Sequence, residues 1–153
     1  MTPQELLAAA KRLIERPDAM TAGIWPRAAA FLVRQALELA MAALWDADPR
    51  ATGLPGCTMR SQMLCLTAYL DHDTATRAAY LSGALSRACH YHSYELAPTA
   101  AELTGWLDEA SRLVTLMQEC GRRAQVDAPG PADAPNVEAN KPTEVGPRQG
   151  QAG

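Results

Sequence analysis

The sequence lacks the motifs by which most enzyme classes announce themselves. It contains no P-loop, no G-x-G-x-x-G and no G-x-S-x-G, so the usual grounds for an NTPase, a dinucleotide enzyme or an α/β-hydrolase are missing. Cysteine is sparse. Cys57, Cys65, Cys89 and Cys120 form no C-x-x-C pair, which argues against a zinc-finger framework and for free thiols in a reducing compartment. No apolar run approaches the roughly 20 residues of a membrane span. Thr2-Pro3-Gln4-Glu5 is polar and acidic where a secretory signal would be basic and then apolar, and the expected location is cytoplasmic, away from the membrane. No segment alternates in the manner of a strand, and no internal repeat is visible.

Excess charge is also scarce. The formal net charge is −3, and most of it belongs to residues 125–153, where Asp127, Asp133, Glu138 and Glu144 outnumber Lys141 and Arg148. The remainder is near neutral, so composition shows no large basic face for non-specific nucleic-acid binding and leaves room for a small local one. Residues 125–153 hold prolines at 129, 131, 135, 142 and 147, and Val126, Val137 and Val145 are their only large apolar side chains. Such a segment buries too little to offset its ordering entropy and is expected to be a disordered acidic tail. Residues 1–124 then form one helical domain.

What is present is helical periodicity. Thr2, Pro3 and Glu5 make an N-cap, a first-turn proline and a capping box, followed by the stripe Leu6, Leu7, Ala10, Leu13, Ile14 and the stop Pro17. A second helix opens near Pro26 and runs to about Ala47, with Phe31, Val33, Ala36, Leu37, Ala40, Met41 and Leu44 in period. A third is expected over 59–70 behind Thr58. A fourth begins about Thr74 behind the Asp71-His72-Asp73 loop, with Ala78, Leu81, Leu85 and Ala88 inward and an end before Pro98. The fifth follows the box Thr99–Glu102, carries Leu103, Trp106, Leu107, Ala110, Leu113, Val114 and Met117, and closes on Gly121 as its C′ residue, with Arg122 and Arg123 against the helix dipole. The fold class is therefore all-α, an up-and-down bundle of about five helices. Trp25, Trp45 and Trp106 are expected as core or interface anchors.

One stretch concentrates chemistry. Arg87-Ala88-Cys89-His90-Tyr91-His92-Ser93-Tyr94 carries a guanidinium, two imidazoles, two phenols and a thiol. An imidazole titrating near neutrality moves protons to and from hydroxyls. A guanidinium binds phosphate oxygens in pairs and stabilises charge growing on them. Together they suffice for metal-free RNA cleavage with the ribose 2′-OH as nucleophile. Arg87 and His92 are five residues apart, about 140° on a regular helix. They act together only if the helix ends or distorts between them, or if a second copy of the chain completes the site.

The pattern Arg87…His92-Ser93-Tyr94 resembles the R-x4-H-x-Y signature of the HEPN superfamily, and most resembles the HEPN toxins that pair with minimal nucleotidyltransferase antitoxins. The stretch Arg27-Ala28-Ala29-Ala30-Phe31-Leu32-Val33-Arg34-Gln35-Ala36-Leu37-Glu38 is similar to the family's early helix, and Tyr94-Glu95-Leu96-Ala97-Pro98-Thr99 to its last linker. The resemblance covers roughly residues 5–120. It implies a four- or five-helix homodimer with two motif copies in a shared cleft, the fourth helix or its C-terminal end at the interface, and metal-independent endoribonuclease activity of the toxin–antitoxin or phage-defence kind. Arg87 would contact the scissile phosphate, His92 would be the acid/base, and His90 or Tyr94 would assist. Tyr94 matches the tyrosine that a partner nucleotidyltransferase modifies with AMP. No cofactor is expected. The family usually has a polar residue after the arginine, where this chain has Ala88.

Other readings stand beside this one. A module that binds a nucleotide, RNA or protein without catalysis fits Ala88 and the near-neutral charge. A purely structural dimerisation bundle would turn Arg87 and His92 away from each other. Zinc on Cys89, His90 and His92 lacks the second ligand pair that structural sites commonly use. His72, between Asp71 and Asp73, reads as a passenger in a helix cap.

Overall fold

A computed structural model of the chain describes residues 1–90 and 96–127. The expected disordered tail lies outside the described residues from 128 onward, as do Tyr91, His92 and Tyr94. Among the described residues the fold is all-α, without strands. Five α-helices follow one another: α1 (Pro3–Glu15), α2 (Trp25–Ala47), α3 (Met59–Cys65), α4 (His72–Cys89) and α5 (Ala100–Asp127), with short 3-10 turns at Pro49–Ala51, Leu54–Gly56 and Leu66–Ala68.

Local chemistry sets most helix starts. Thr2 Oγ1 accepts from the Glu5 N–H at 3.2 Å while Glu5 accepts from the Thr2 N–H at 2.6 Å, the reciprocal box read from the sequence. Thr99 and Glu102 repeat it at the head of α5. Asp71 caps α4 by accepting from the Thr74 N–H at 3.0 Å, so this helix begins at His72, two residues before the expected start. His72 rides exposed on its first turn. The start of α2 has no side-chain cap. Asp18 and Thr21 instead build the turn before it, exchanging bonds of 2.8–3.1 Å, and the Thr21 carbonyl accepts from Ile24 and Trp25.

The central element is α2, which packs against α1, α4 and α5. It is long and apolar enough to cross a membrane by length and composition, contrary to the first impression from the sequence, but half of that window is buried in the protein. Ala29, Ala30, Val33, Ala36, Leu37, Ala40, Met41 and Leu44 lie in the core with Leu81 and Leu85 of α4 and Leu103, Leu113, Val114 and Met117 of α5. Each large side chain so buried adds about 1.5–3 kcal/mol relative to an exposed one. Phe31, placed in the apolar series, is instead 52 % exposed. The alanine-rich side of the helix meets the other helices, and Phe31 lies off that side.

Two further expectations are corrected. The third helix is α-helical only to Cys65 and then tightens into the 3-10 turn Leu66–Ala68. Gly121 does not end α5, which continues to Asp127. Gly121 is buried, and a Cβ there would sit 3.4 Å from the Ala47 Cβ and 3.8 Å from the Leu44 Cα. The glycine is thus a close-approach point between α5 and α2, and the helix accepts its cost of about 1 kcal/mol.

A polar node closes the end of α2. The Asp48 side chain is 1 % exposed. It accepts from the Arg50 N–H at 2.9 Å, from Arg50 Nε at 3.0 Å and from the Tyr69 hydroxyl at 2.7 Å. These donors hold its carboxyl well below the usual carboxylate range, the Arg50 bond first and the Tyr69 bond second. Tyr69 packs edge-on against Trp45, with centroids 5.4 Å apart, and the Trp45 N–H donates to Gln62 at 2.9 Å. The loop, α3 and the end of α2 are tied together by this set. Trp45 is the core anchor expected of it, whereas Trp25 and Trp106 are half-buried.

Candidate functional site at the end of α4

The last turn of α4 follows from its capping. The His90 backbone is extended (φ −83°, ψ 132°), and its N–H donates to the Arg87 carbonyl at 3.2 Å. Here the chain leaves the helix, between Arg87 and His92, so the 140° separation that a continuous helix would impose no longer applies. Arg27, in the first turn of α2, donates from Nη1 to the His90 carbonyl at 3.1 Å. This bond satisfies one of the carbonyls that a helix end leaves without a partner.

Arg87 is exposed on this turn, and its Nη1 lies 3.6 Å from where a Cβ on Gly83 would be. Arg87, Ala88 and His90 line an open cleft of about 720 Å³ together with Arg27 of α2, Tyr80 of α4, the 96–99 linker, and Trp106 of α5. Glu102 is the acidic member of the lining. Its carboxylate accepts from the Thr99 N–H and hydroxyl, both at 2.8 Å, and the bond from the backbone is the main cause of its lowered pKa. Among the described residues Glu102 is the one carboxylate lining the cleft, and the capping box engages it.

Of the sequence-predicted site residues, the structure brings Arg87 and His90 into one cleft. His92 and Tyr94 lie outside the described residues. Cys89 does not face the same way. It packs against the core beside Arg34 of α2, and burial pushes its thiol pKa up against the opposing pull of that arginine, which keeps it protonated and a poor ligand near neutral pH. Among the described residues no three His, Cys, Asp or Glu groups converge as a metal site would require. Arg34 is held by Glu38, Nε to Oε1 at 2.7 Å. Ala88 is half-buried and packed on the core.

Arg27, Tyr80 and Trp106 were not singled out for this site from the sequence. Arg27 lies 63 residues from its partner His90, and no local pattern signals that contact. Tyr80 carries a readable sign, since it shares a helix face with Arg87 two turns on. A second groove, of about 500 Å³ between α3 and α4, is lined by apolar Met59, Met63, Leu64 and Ala75, with Arg60 and His72 among its polar members.

No family model, curated protein or solved structure matches the chain.

Proposed function

We propose that this protein is a HEPN-type, metal-independent endoribonuclease of the toxin or phage-defence kind. The observation that carries the reading is the end of α4 at Cys89, with Arg87 and His90 in one cleft at the point where the chain departs toward His92. An all-α fold of this length and the Arg87…His92-Ser93-Tyr94 spacing support it. In this reading Arg87 grips the scissile phosphate. His92 removes the proton of the ribose 2′-OH, whose oxygen attacks the adjacent phosphorus. The P–O5′ bond breaks, His92 returns the proton to the leaving 5′ oxygen, and the products are a 2′,3′-cyclic phosphate and a 5′-hydroxyl. His90 or Tyr94 assists. The reading extends to a homodimer that places two motif copies together, and to a nucleotidyltransferase antitoxin that adenylylates Tyr94.

The test is incubation of the purified chain with RNA in EDTA, followed by analysis of the ends. Cleavage to cyclic phosphates that is lost in His92→Ala is the expected result. Intact RNA after prolonged incubation with the wild type overturns the reading.

Ala88 favours a second reading, a HEPN-like module that binds nucleotide, RNA or protein without cutting. Its methyl packs on the core and gives the cleft no polar group. Nucleotide binding that survives His92→Ala, with RNA left intact by the wild type, would single out this alternative.

A further inference from the structure

The exposed side of α4 leading to the cleft is not random. Arg77, Tyr80, Ala84 and Arg87 recur at intervals of three, four and three residues, which places them within an arc of about 80° along about 15 Å of helix. Tyr80 is 71 % exposed, although a tyrosine ring usually finds apolar cover. Beside it, the buried Ala84 and the half-buried Ala88 keep the wall low. Arg77 and Arg112 both pair with the single carboxylate of Glu109, at 3.3 Å and 3.2 Å, and Arg77 stays 61 % exposed at that end of the track. Arg87 stands at the other end, with Arg27 across the cleft.

The stripe thus alternates cation, exposed aromatic ring and cation. This is the arrangement that holds an unpaired nucleic-acid strand, with charges on the phosphates and a ring under a base. A duplex hides its base faces and gains nothing from Tyr80. A peptide would use the ring but meet both ends of the track only where acidic side chains happen to flank it.

We infer that Tyr80 is a base-stacking subsite, with Arg77 and Arg87 binding backbone phosphates farther along the strand in each direction, so that the cleft takes single-stranded and not duplex nucleic acid. The inference builds on the ribonuclease reading of the same cleft. It is tested apart from it with a probe that lacks the 2′-OH and cannot be cut by that route.

The measurement is fluorescence anisotropy of a fluorescein-labelled single-stranded deoxyhexanucleotide of mixed sequence, titrated with the full chain in EDTA. Tyr80→Ala is expected to weaken binding about fivefold or more, and Tyr80→Phe, which keeps the ring, to retain it. Arg77→Ala should lower the slope of log Kd against log salt by about one. Tyr80 is exposed, so its replacement leaves the core untouched. Probe binding through Tyr80 by a wild type that leaves RNA uncut overturns the nuclease reading and supports the subsite. A wild type that cuts RNA while Tyr80→Ala binds the probe unchanged overturns the subsite alone. Equal affinity for a duplex of the same sequence, or no probe binding by the wild type, also overturns it.

Discussion

Arg27 donates from its guanidinium to the carbonyl of His90 at 3.1 Å, joining the first turn of α2 to the last residue before the chain turns away from α4. The bond gives the carbonyl of the C-cap residue of α4 a partner from another helix. Arg27→Ala is expected to cost about 1 kcal/mol of stability and to speed amide hydrogen exchange in the last turn of α4 more than elsewhere. Mass-spectrometric exchange on both proteins checks this. Uniform acceleration across all helices would mean that Arg27 supports the fold generally and not this helix end.

Arg87 separates charge from geometry. Lysine keeps the positive charge but cannot form two parallel hydrogen bonds to a phosphate. If the cleft cleaves RNA, Arg87→Lys should lower kcat by about ten- to a hundredfold with little change in melting temperature, because the side chain is exposed. Single-turnover kinetics reads the loss. Unchanged kcat would remove Arg87 from the chemistry.

Two glycines give opposite forecasts. Gly83 lies inside α4, and a Cβ there meets only the Arg87 Nη1 at 3.6 Å, an ordinary contact. Gly83→Ala should therefore stabilise the protein by about 0.5–1 kcal/mol through helix propensity, visible as a melting temperature a few degrees higher. Gly121 faces Ala47 and Leu44 at 3.4–3.9 Å. Gly121→Leu should push α5 off α2 and cost about 1–3 kcal/mol or more. Calorimetry on the two variants decides both.

Stability should fall at both extremes of pH, for reasons that differ. The Tyr69 hydroxyl pKa is raised from 10.0 to about 12, by burial first and by its bond to Asp48 second. A raised folded-state pKa contributes stability that is complete below pH 10 and lost as the pH climbs to 12. Asp48, Asp71, Glu5 and Glu102 are all lowered, chiefly by the hydrogen bonds they accept. Their contribution is complete above about pH 5 and fades as the pH drops through their folded values. Thermal melts across both ranges test this, and Tyr69→Phe should flatten the alkaline limb. An unaltered alkaline limb in that variant would assign the loss to other groups.

The sequence by itself determined whatever depends on neighbours within a turn or two. The boxes Thr2–Glu5 and Thr99–Glu102 form as read, because cap and acceptor are three residues apart. The core stripes of α1, α4 and α5 also follow from period alone, since one buried face requires it. Tertiary structure decided the rest. Gly121 looked like a terminator because glycine usually is one, and only the nearness of Ala47 shows why it sits inside a helix. Phe31 matched the period and still faces outward, because packing partners choose which side of a long apolar helix is covered. The same holds at the site. Arg87 and His90 were legible as a local excess of reactive groups, and Tyr80 follows from its helix face, whereas Arg27 and Trp106 reach that cleft from helices whose meeting depends on the folded core. Contacts across 63 residues have no signature in a local pattern, because the chain encodes them only through the packing that brings its ends of helix together.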